Sequence, residues 1–206
     1  MPASATGLPR IDPFRRALGR FILRLFGWRV EGDWPAVPKL VVIFAPHTSN
    51  WDFVFSMSSV FSLGYRPNYI GKKSLFWGPM GWFMRWMGGI PVDRSAAFNT
   101  VDATVQAIKM TEQVIIGIAP EGTRSHTKFW RSGFYHIAVQ SDVPIAFISL
   151  DYQKKLARFA EGITPSGDLA ADMERIRPFF EGVPGKFPHQ ASEISLRPHE
   201  AGATNK

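Results

Sequence analysis

The sequence predicts one α/β domain with a mixed, largely parallel sheet, flanked by helices and preceded by an N-terminal amphipathic helix. Short apolar runs rich in β-branched residues, such as residues 40–44, 114–119 and 143–150, alternate with segments of helical periodicity. This alternation is typical of parallel strands joined by helices. The chain has 206 residues, of which 45% are hydrophobic, so we expect one substantial core.

Three segments are expected along the chain: an N-terminal helix within residues 1–27, the α/β domain at residues 28–182, and a loose tail at residues 183–206. Strands are predicted at 28–31, 40–45, 68–70, 114–119 and 143–150, with edge strands within 152–162. Helices are predicted from Asp52 to about 63, from Asn99 or Thr100 to about 112, at 133–140 and at 168–180.

The N-terminal helix carries two separate stripes. Apolar residues, including Phe14, Phe21 and Leu25, recur at helical spacing. Three arginines form the second stripe: Arg16, Arg20 and Arg24. Such a helix can lie in a membrane interface, where each arginine gains on the order of 1 kcal/mol near anionic lipid. The alternative is a helix that packs its apolar face on the domain.

Composition and charge restrict the classes of function. The chain has no cysteine, which excludes a disulfide framework, a thiolate nucleophile and a cysteine-ligated metal. The formal charge of +7 indicates an anionic partner. No nucleic-acid module is recognisable, so we expect a phosphate-bearing substrate or an acidic membrane rather than nucleic acid. His126 and His136 lack partners at metal-ligand spacing, and no metal site is predicted.

Residues 75–92 are rich in aromatic side chains and contain one charge, Arg85. The segment is long enough to span a membrane, but glycines and prolines interrupt it repeatedly, so spanning is not expected. An interface-facing or acyl-lining surface suits its tryptophans, with ordinary core packing as the alternative. Residues 1–7 lack the features of a secretion signal, so export is not expected.

A histidine and an aspartate follow the apolar run 40–44, in the order His47 and then Asp52. Pro46 ends the strand, because proline has no backbone donor for the next ladder bond. Residues five apart lie off each other's face on one helix, so the pair can meet only if His47 lies in the turn and Asp52 in the first helical turn. The carboxylate would then orient the imidazole and leave its other nitrogen free as a base. The alternative is a pair that only caps and packs.

Two lysines, Lys72 and Lys73, follow Gly71 in a stretch that superficially resembles a nucleotide-binding loop. Gly64 lies seven positions before Gly71, whereas the motif needs five, so a nucleotide site is rejected. The two lysines either face an anionic substrate or are simply exposed residues of a turn.

Four ordered blocks of the sequence resemble those of the glycerolipid acyltransferase superfamily. After His47 and Asp52 come Gly88 to Arg94, then Glu121-Gly122-Thr123-Arg124, then Val143-Pro144-Ile145. The resemblance runs from about residue 41 to about residue 148. Pro91 and Phe147 depart from the family pattern, and we expect them to shape the pocket for the acyl chain or the acceptor.

The resemblance implies transfer of a fatty acyl group to the free hydroxyl of a lysophospholipid, most directly 1-acylglycerol-3-phosphate, giving phosphatidic acid. Acyl-coenzyme A or acyl carrier protein would be the co-substrate, with no other cofactor. His47 and Asp52 would be catalytic. The acceptor would contact the following residues: Lys72, Lys73, Arg94, Glu121, Gly122, Thr123 and Arg124. A lipid acceptor implies a peripheral or monotopic protein on the cytoplasmic face of the membrane.

The predicted topology brings these residues together. Ligands of open α/β sheets collect beyond the carboxyl ends of strands, where turns are expected at Pro46, Pro91 and Pro120. Arg94 and Arg124 are suited to gripping a phosphate with paired donors. Glu121 would orient the glycerol hydroxyls or the turn, and Gly122 would allow close approach of the backbone.

An acyl-enzyme is not expected, because the chain has no cysteine and no G-x-S-x-G elbow. Ser49 lies close to His47 and is expected to bond the backbone of the turn. Three alternatives remain: another lyso-lipid acceptor (a lysophospholipid or a lyso-ornithine-type lipid), a lysolipid hydrolase using Ser49 or Ser125, and a basic nucleic-acid-binding protein.

Overall fold

The structure, a computed structural model, describes residues 7–92 and 97–198. The strands of the described residues are β1 Arg29–Glu31, β2 Lys39–Ala45, β3 Asn68–Lys72, β4 Gly89–Val92, β5 Val114–Ile118, β6 Ile145–Asp151 and β7 Leu156–Ile163. The helices are α1 Pro13–Phe26, α2 Asn50–Leu63, α3 Gly78–Trp86, α4 Ala97–Met110, α5 Gly133–Ser141 and α6 Leu169–Phe180. Short 3-10 turns occupy Lys73–Phe76 and Pro188–Gln190.

The seven strands form one sheet in the order β1-β7-β6-β2-β5-β3-β4. Every neighbouring pair is parallel except β6 and β7, which are antiparallel. The predicted mixed, largely parallel sheet is therefore confirmed. The expected edge position of residues 152–162 is wrong, because β1 pairs with the far side of β7 and makes that strand an interior one.

Helices cover both faces of the sheet, and β2 supplies side chains to both cores. Val41 and Ile43 point into the core beneath α4, α5 and α6. Leu40 and Val42 point into the core beneath α1 and α2. Successive side chains of a strand face opposite sides, so a central strand buried on both faces is apolar throughout, as the run in β2 is.

Helix α1 occupies its predicted position, begins at the N-cap Asp12 and ends at Gly27. Its packed side holds Gly19, where a Cβ would lie 2.6 Å from the Ser58 carbonyl oxygen of α2, so the two helices approach closely. The apolar residues of α1 are divided between the domain and solvent: Leu18 and Ile22 are half-buried, whereas Phe14, Phe21 and Leu25 are 71%, 62% and 66% exposed. No helix in the described ranges combines the length and apolar character that crossing a membrane requires.

The aromatic segment at residues 75–92 is broken as its glycines and prolines predict, into a 3-10 turn, α3 and β4. Trp77, Met80 and Trp82 are exposed, whereas Phe76 is buried. Pro91 lies inside β4 rather than in a turn beyond it, which corrects the prediction. A proline is tolerated inside this strand because β4 is at the edge of the sheet.

Several predicted helix boundaries are corrected. Helix α2 begins at Asn50, two residues before Asp52, because Ser49 supplies the N-cap. Helix α4 begins at Ala97, before the predicted cap at Asn99 or Thr100. Residues 93–96 lie outside the described part of the chain.

The described part of the C-terminal segment, residues 183–198, is packed rather than loose, and we call it the strap. Its Ser195 carbonyl accepts from the Trp130 backbone nitrogen at 2.8 Å. Ile194 and Leu196 pack against the core on the α4–α6 side. Residues 183–198 show no helical or strand periodicity in the sequence, because single residues of the strap contact loops and the core one by one.

Candidate active site

The turn between β2 and α2 places His47 and Asp52 on the same side of the chain. Ser49 caps the helix by accepting from the Trp51 backbone nitrogen at 3.2 Å. Asp52, at the third helical position, accepts from the Ser49 backbone nitrogen at 2.7 Å and completes a capping box. The sequence therefore fixes this turn through its own side chains, and Ser49 bonds the backbone as expected.

The His47 imidazole meets the Asp52 carboxylate, with 3.1 Å between Nδ1 and Oδ2. Asp52 is 0% exposed, whereas the His47 side chain is 19% exposed. In the tautomer that this contact favours, Nδ1 donates its proton to the carboxylate and Nε2 keeps a free lone pair. Within residues 7–92 and 97–198, Nε2 has no hydrogen-bond partner, so the pair can act as an oriented base.

The Asp52 carboxylate accepts four hydrogen bonds from the described residues. Besides His47 Nδ1, Oδ2 accepts from the backbone nitrogens of Thr48 and Ser49, both at 2.7 Å. Oδ1 accepts from the Tyr152 hydroxyl at 2.6 Å. Tyr152 follows β6 directly and was missed by the sequence reasoning. A tyrosine at the carboxyl end of a strand neighbouring β2 was the available signal.

Glu121 lies in the turn after β5 and is 1% exposed. Its Oε1 accepts from the His47 backbone nitrogen at 2.6 Å. Burial raises the pKa of Glu121 above its ordinary value, against the opposing influence of the His47 backbone and of Ser192 in the strap. Of the two roles expected for this carboxyl, its contacts fit the one that orients the turn.

The rest of the Glu121 to Arg124 stretch faces outward. Arg124 is exposed and donates to Oδ1 of Asn50, at the start of α2. Thr123 Oγ1 accepts from the Ser125 backbone nitrogen at 3.3 Å. Gly122 has a φ of +68°, a conformation that other residues adopt only with strain.

A second guanidinium lies at the same turn. A Cβ on Gly122 would lie 2.8 Å from Nε of Arg131, whose backbone nitrogen donates to the Pro120 carbonyl at 2.8 Å. Sequence reasoning missed Arg131, because it lies outside the four family blocks. Arg124 and Arg131 give this edge of the sheet two exposed cations.

Three expected site residues have side chains outside the described part of the structure. Arg94 lies outside the described residues. The backbone of Lys72 ends β3 and that of Lys73 begins the following 3-10 turn, but their side chains are also outside the described set. In residues 7–92 and 97–198, no three His, Cys, Asp or Glu side chains are grouped to hold a metal.

A sequence profile described as Acyltransferase matches residues 29–151, which contain strands β1 to β6, both turns and the His47–Asp52 pair. The chain belongs to the acyltransferase family. This confirms the resemblance read from the four blocks. The matched region also includes Tyr152's neighbour Asp151 but ends before Tyr152 itself.

Curated proteins similar to this acyltransferase-family chain carry consistent names. The 1-acyl-sn-glycerol-3-phosphate acyltransferase of Salmonella typhimurium is 32% identical over 146 residues, covering 66% of this chain and 57% of the relative. The alpha form of Homo sapiens is 29% identical over 183 residues, covering 74% and 62%. The chain thus spans about three fifths of the length of these relatives.

One solved structure shares the fold. The 1-acyl-sn-glycerophosphate acyltransferase PlsC of Thermotoga maritima superposes with a TM-score of 0.57 and 18% identity. The match covers 79% of this chain and 73% of that one. It supports the α/β architecture described above.

Aromatic side chains surround the His47 turn in this member of the family. Phe44 contacts the imidazole edge to face, with ring centroids 5.2 Å apart. Trp51 stacks on Phe55 and contacts Phe26 at the end of α1, at 5.6 and 5.4 Å. The strap adds Lys186, whose Nζ lies 5.0 Å from the Trp51 ring. Aromatic rings therefore lie around the His47 turn, and a cation of the strap lies over one of them.

Proposed function

We propose that this protein transfers a fatty acyl group from a thioester to the free hydroxyl of a lysophospholipid, most directly 1-acylglycerol-3-phosphate. The observation that carries the proposal is the 3.1 Å contact between His47 Nδ1 and the fully buried Asp52 carboxylate. This contact leaves Nε2 available to a hydroxyl. The names of the relatives favour the same acceptor.

In the proposed reaction, His47 Nε2 removes the proton from the acceptor hydroxyl while its oxygen attacks the thioester carbonyl carbon. A carbon–oxygen bond forms, and the tetrahedral intermediate then expels the thiolate by breaking the carbon–sulfur bond. The imidazolium returns its proton to the departing sulfur. Asp52 holds the imidazole in the required tautomer and stabilises its positive charge in the intermediate stages.

The acceptor phosphate is proposed to bind at the turn after β5. Arg124 is exposed and already bonded to Asn50 beside the His47 turn. Arginine holds a phosphate with two parallel donors, and Arg94, Lys72 and Lys73 would add positive charge. Gly122 and Thr123 would contact the acceptor through this turn. No cofactor is proposed beyond the acyl-coenzyme A or acyl carrier protein that supplies the thioester.

A membrane surface is the proposed partner of α1 and α3. Six exposed apolar side chains form what we call the interfacial surface: Phe14, Phe21, Leu25, Trp77, Met80 and Trp82. The two helices are in contact, since the Arg15 guanidinium lies 4.4 Å over the Trp86 ring. Exposed aromatic and arginine side chains together suit an anionic bilayer interface. We propose peripheral or monotopic binding at the cytoplasmic face.

A lysolipid hydrolase would need Ser49 or Ser125 as its nucleophile, and the contacts of Ser49 disfavour that serine. Ser49 accepts from a backbone nitrogen and caps α2, so its hydroxyl serves the helix. A second lyso-lipid as acceptor stays within the proposed chemistry and is separated from the first by the experiment below.

Thiol release from palmitoyl-coenzyme A by the wild type and His47→Ala tests the proposal. The acceptors are 1-acylglycerol-3-phosphate, lysophosphatidylcholine and a lyso-ornithine lipid, with a reaction lacking acceptor as the blank. We expect release that requires both an acceptor and His47, with a loss of about 10²–10⁴-fold in the variant. Equal release without acceptor would identify a thioesterase instead. Palmitoyl-acyl carrier protein in place of the coenzyme A ester distinguishes the two donors.

A further inference from the structure

We propose that Tyr152 is a positioning residue that sets the basicity of His47 through Asp52. The proposal rests on the proposed acyl transfer, in which His47 is the base. Tyr152 touches neither substrate nor imidazole in this arrangement. Its hydroxyl acts on the imidazole through the Asp52 carboxylate, which lies between the two groups.

The hydrogen bonds of Asp52 are divided unequally between its two oxygens. Oδ2 accepts from His47 Nδ1 and from two backbone nitrogens, at 3.1, 2.7 and 2.7 Å. Oδ1 accepts from Tyr152 at 2.6 Å. Since Asp52 is 0% exposed, water does not reach Oδ1. Among the described residues, the Tyr152 hydroxyl is the one donor to this oxygen.

The Tyr152 ring is held firmly in place. It packs edge to face against Trp28 and Phe55, with centroid distances of 5.0 and 5.9 Å. Its backbone nitrogen donates to the Pro184 carbonyl of the strap at 3.1 Å. Packing alone would be satisfied by phenylalanine, so the hydroxyl and its aim at Oδ1 need a separate explanation.

Tyr152 remains a proton donor in this environment. Burial, followed by the hydrogen bond to Asp52 and the negative charge of Asp52, raises the pKa of Tyr152 well above its ordinary value. The other charged groups near Tyr152 and Asp52 contact different residues. Glu121 accepts from the His47 backbone, Arg124 donates to Asn50, and Lys186 lies over the Trp51 ring. Asp151 and Lys154 form an ion pair beside Tyr152.

A donor on Oδ1 draws negative charge away from Oδ2. Less charge on Oδ2 stabilises the His47 imidazolium less, so the imidazole holds a proton less tightly and remains a neutral base to lower pH. The same bond fixes the plane of the carboxylate, which keeps Oδ2 against Nδ1. Removal of the hydroxyl should therefore change both the proton affinity of His47 and the rate of transfer.

A graded series of donors at position 152 tests this. Tyr152→Phe removes the hydroxyl. Incorporation of 3,5-difluorotyrosine at this position instead keeps the hydroxyl and makes it a stronger donor without changing the ring's shape. The pKa of His47 is read from the NMR signal of its Cε1 proton, identified by its disappearance in His47→Gln. We expect the signal to titrate at higher pH in Tyr152→Phe than in the wild type, and at lower pH in the fluorinated protein.

The matched control is Tyr135→Phe, which breaks a similar buried pair elsewhere. The Tyr135 hydroxyl donates to the buried Asp172 at 2.9 Å. We expect Tyr135→Phe to lower stability while leaving the His47 pKa and kcat unchanged. Tyr152→Phe should reduce kcat by roughly 10- to 100-fold, because the carboxylate loses the bond that fixes its plane against Nδ1, with KM within about twofold.

The proposal is overturned if the His47 pKa does not follow the order phenylalanine, tyrosine, difluorotyrosine, or if Tyr135→Phe shifts it equally. The NMR titration needs no substrate. A wild type without acyltransferase activity would therefore reject the proposed function and still leave the role of Tyr152 decided. If Tyr152→Phe does not fold, the comparison of tyrosine with difluorotyrosine decides by itself.

Discussion

The backbone nitrogen of His47 donates to Oε1 of Glu121 at 2.6 Å, across 74 positions of sequence. The two residues follow β2 and β5, which pair in parallel with Ile43 opposite Ile118. Their turns therefore leave the sheet side by side. Asp52 orients the His47 ring while Glu121 holds its backbone, so the first and third family blocks form one support for the proposed base.

Stability should depend on pH through Glu121. Its pKa is raised in the folded state from an ordinary 4.5, so its contribution to stability is full below about pH 4.5 and is lost as the pH rises through the folded value. Glu121→Gln cannot ionise and can still accept from His47. We expect its melting temperature, relative to wild type, to increase as the pH rises above about 4.5.

Asp172→Asn is the control of opposite sign. Burial opposes ionisation of Asp172, but hydrogen bonds from Ser166, Tyr135 and Arg175 outweigh it and lower the pKa from 3.8. Its contribution is present above 3.8 and lost as the pH falls through the folded value. The melting temperature of Asp172→Asn, relative to wild type, should thus decrease as the pH rises. A flat profile for Glu121→Gln would contradict the burial argument.

Asp52→Asn should preserve the fold and reduce transfer. The amide oxygen can occupy the Oδ2 position, and its NH2 group can donate to the Tyr152 hydroxyl, which accepts as well as donates. The charge that stabilises the imidazolium is lost, so kcat should fall about 10²–10⁴-fold. Circular dichroism and thiol-release kinetics measure the two effects.

Asp52→Ala is the contrasting variant. It leaves the backbone nitrogens of Thr48 and Ser49 without their acceptor, at a cost of about 1–3 kcal/mol for each buried donor. Urea unfolding should therefore give a clearly lower free energy of unfolding for Asp52→Ala than for Asp52→Asn. Equal stability of the two would mean that water or another group replaces the carboxylate.

The strap should be sensitive to a side chain at Gly185. A Cβ there would lie 2.8 Å from Thr48 Oγ1 and 3.0 Å from Pro46 Cγ. We expect Gly185→Ala to cost about 1–3 kcal/mol by overpacking and to lower kcat, because Thr48 also donates to Asp52. The control is Gly7→Ala, where a Cβ meets nothing within 4 Å. Thermal unfolding and thiol release measure both, and similar losses for the two would contradict this account.

Binding to lipid should depend on the interfacial surface and on the arginine stripe. Trp82→Ser should weaken cosedimentation with vesicles of phosphatidylglycerol and phosphatidylcholine at any salt concentration, since it removes exposed apolar area. Arg20→Glu with Arg24→Glu should weaken it most at low salt, because the attraction of these charges is screened.

Met110→Ser is the control for lipid binding. Met110 is 85% exposed and ends α4, a helix of the core on the opposite face of the sheet from α1. Its removal should leave cosedimentation unchanged. Equal losses in Met110→Ser and Trp82→Ser would show that binding does not select the interfacial surface.

Much of the His47 turn could be predicted because its contacts are local. Pro46 ends β2, Ser49 caps α2, and Asp52 falls at the third helical position, so the five-residue spacing from His47 is enough to bring the pair together. The buried strands were equally predictable, since an interior strand must be apolar on both faces. The order of the four blocks indicated the family because it can be read along the sequence without knowledge of the fold.

Contacts across the sheet were decided by the tertiary structure. Glu121 reaches His47 and Tyr152 reaches Asp52 because β5 and β6 flank β2, and hydrophobic periodicity carries no information about which strands are neighbours. The strap reached Thr48 for a similar reason, through contacts of single residues. In α1 the sequence determined an apolar stripe, but only packing decided that Gly19 faces the domain while Phe14, Phe21 and Leu25 remain exposed. The spacing of a helix fixes its faces, and the shape of its neighbour decides which face is covered.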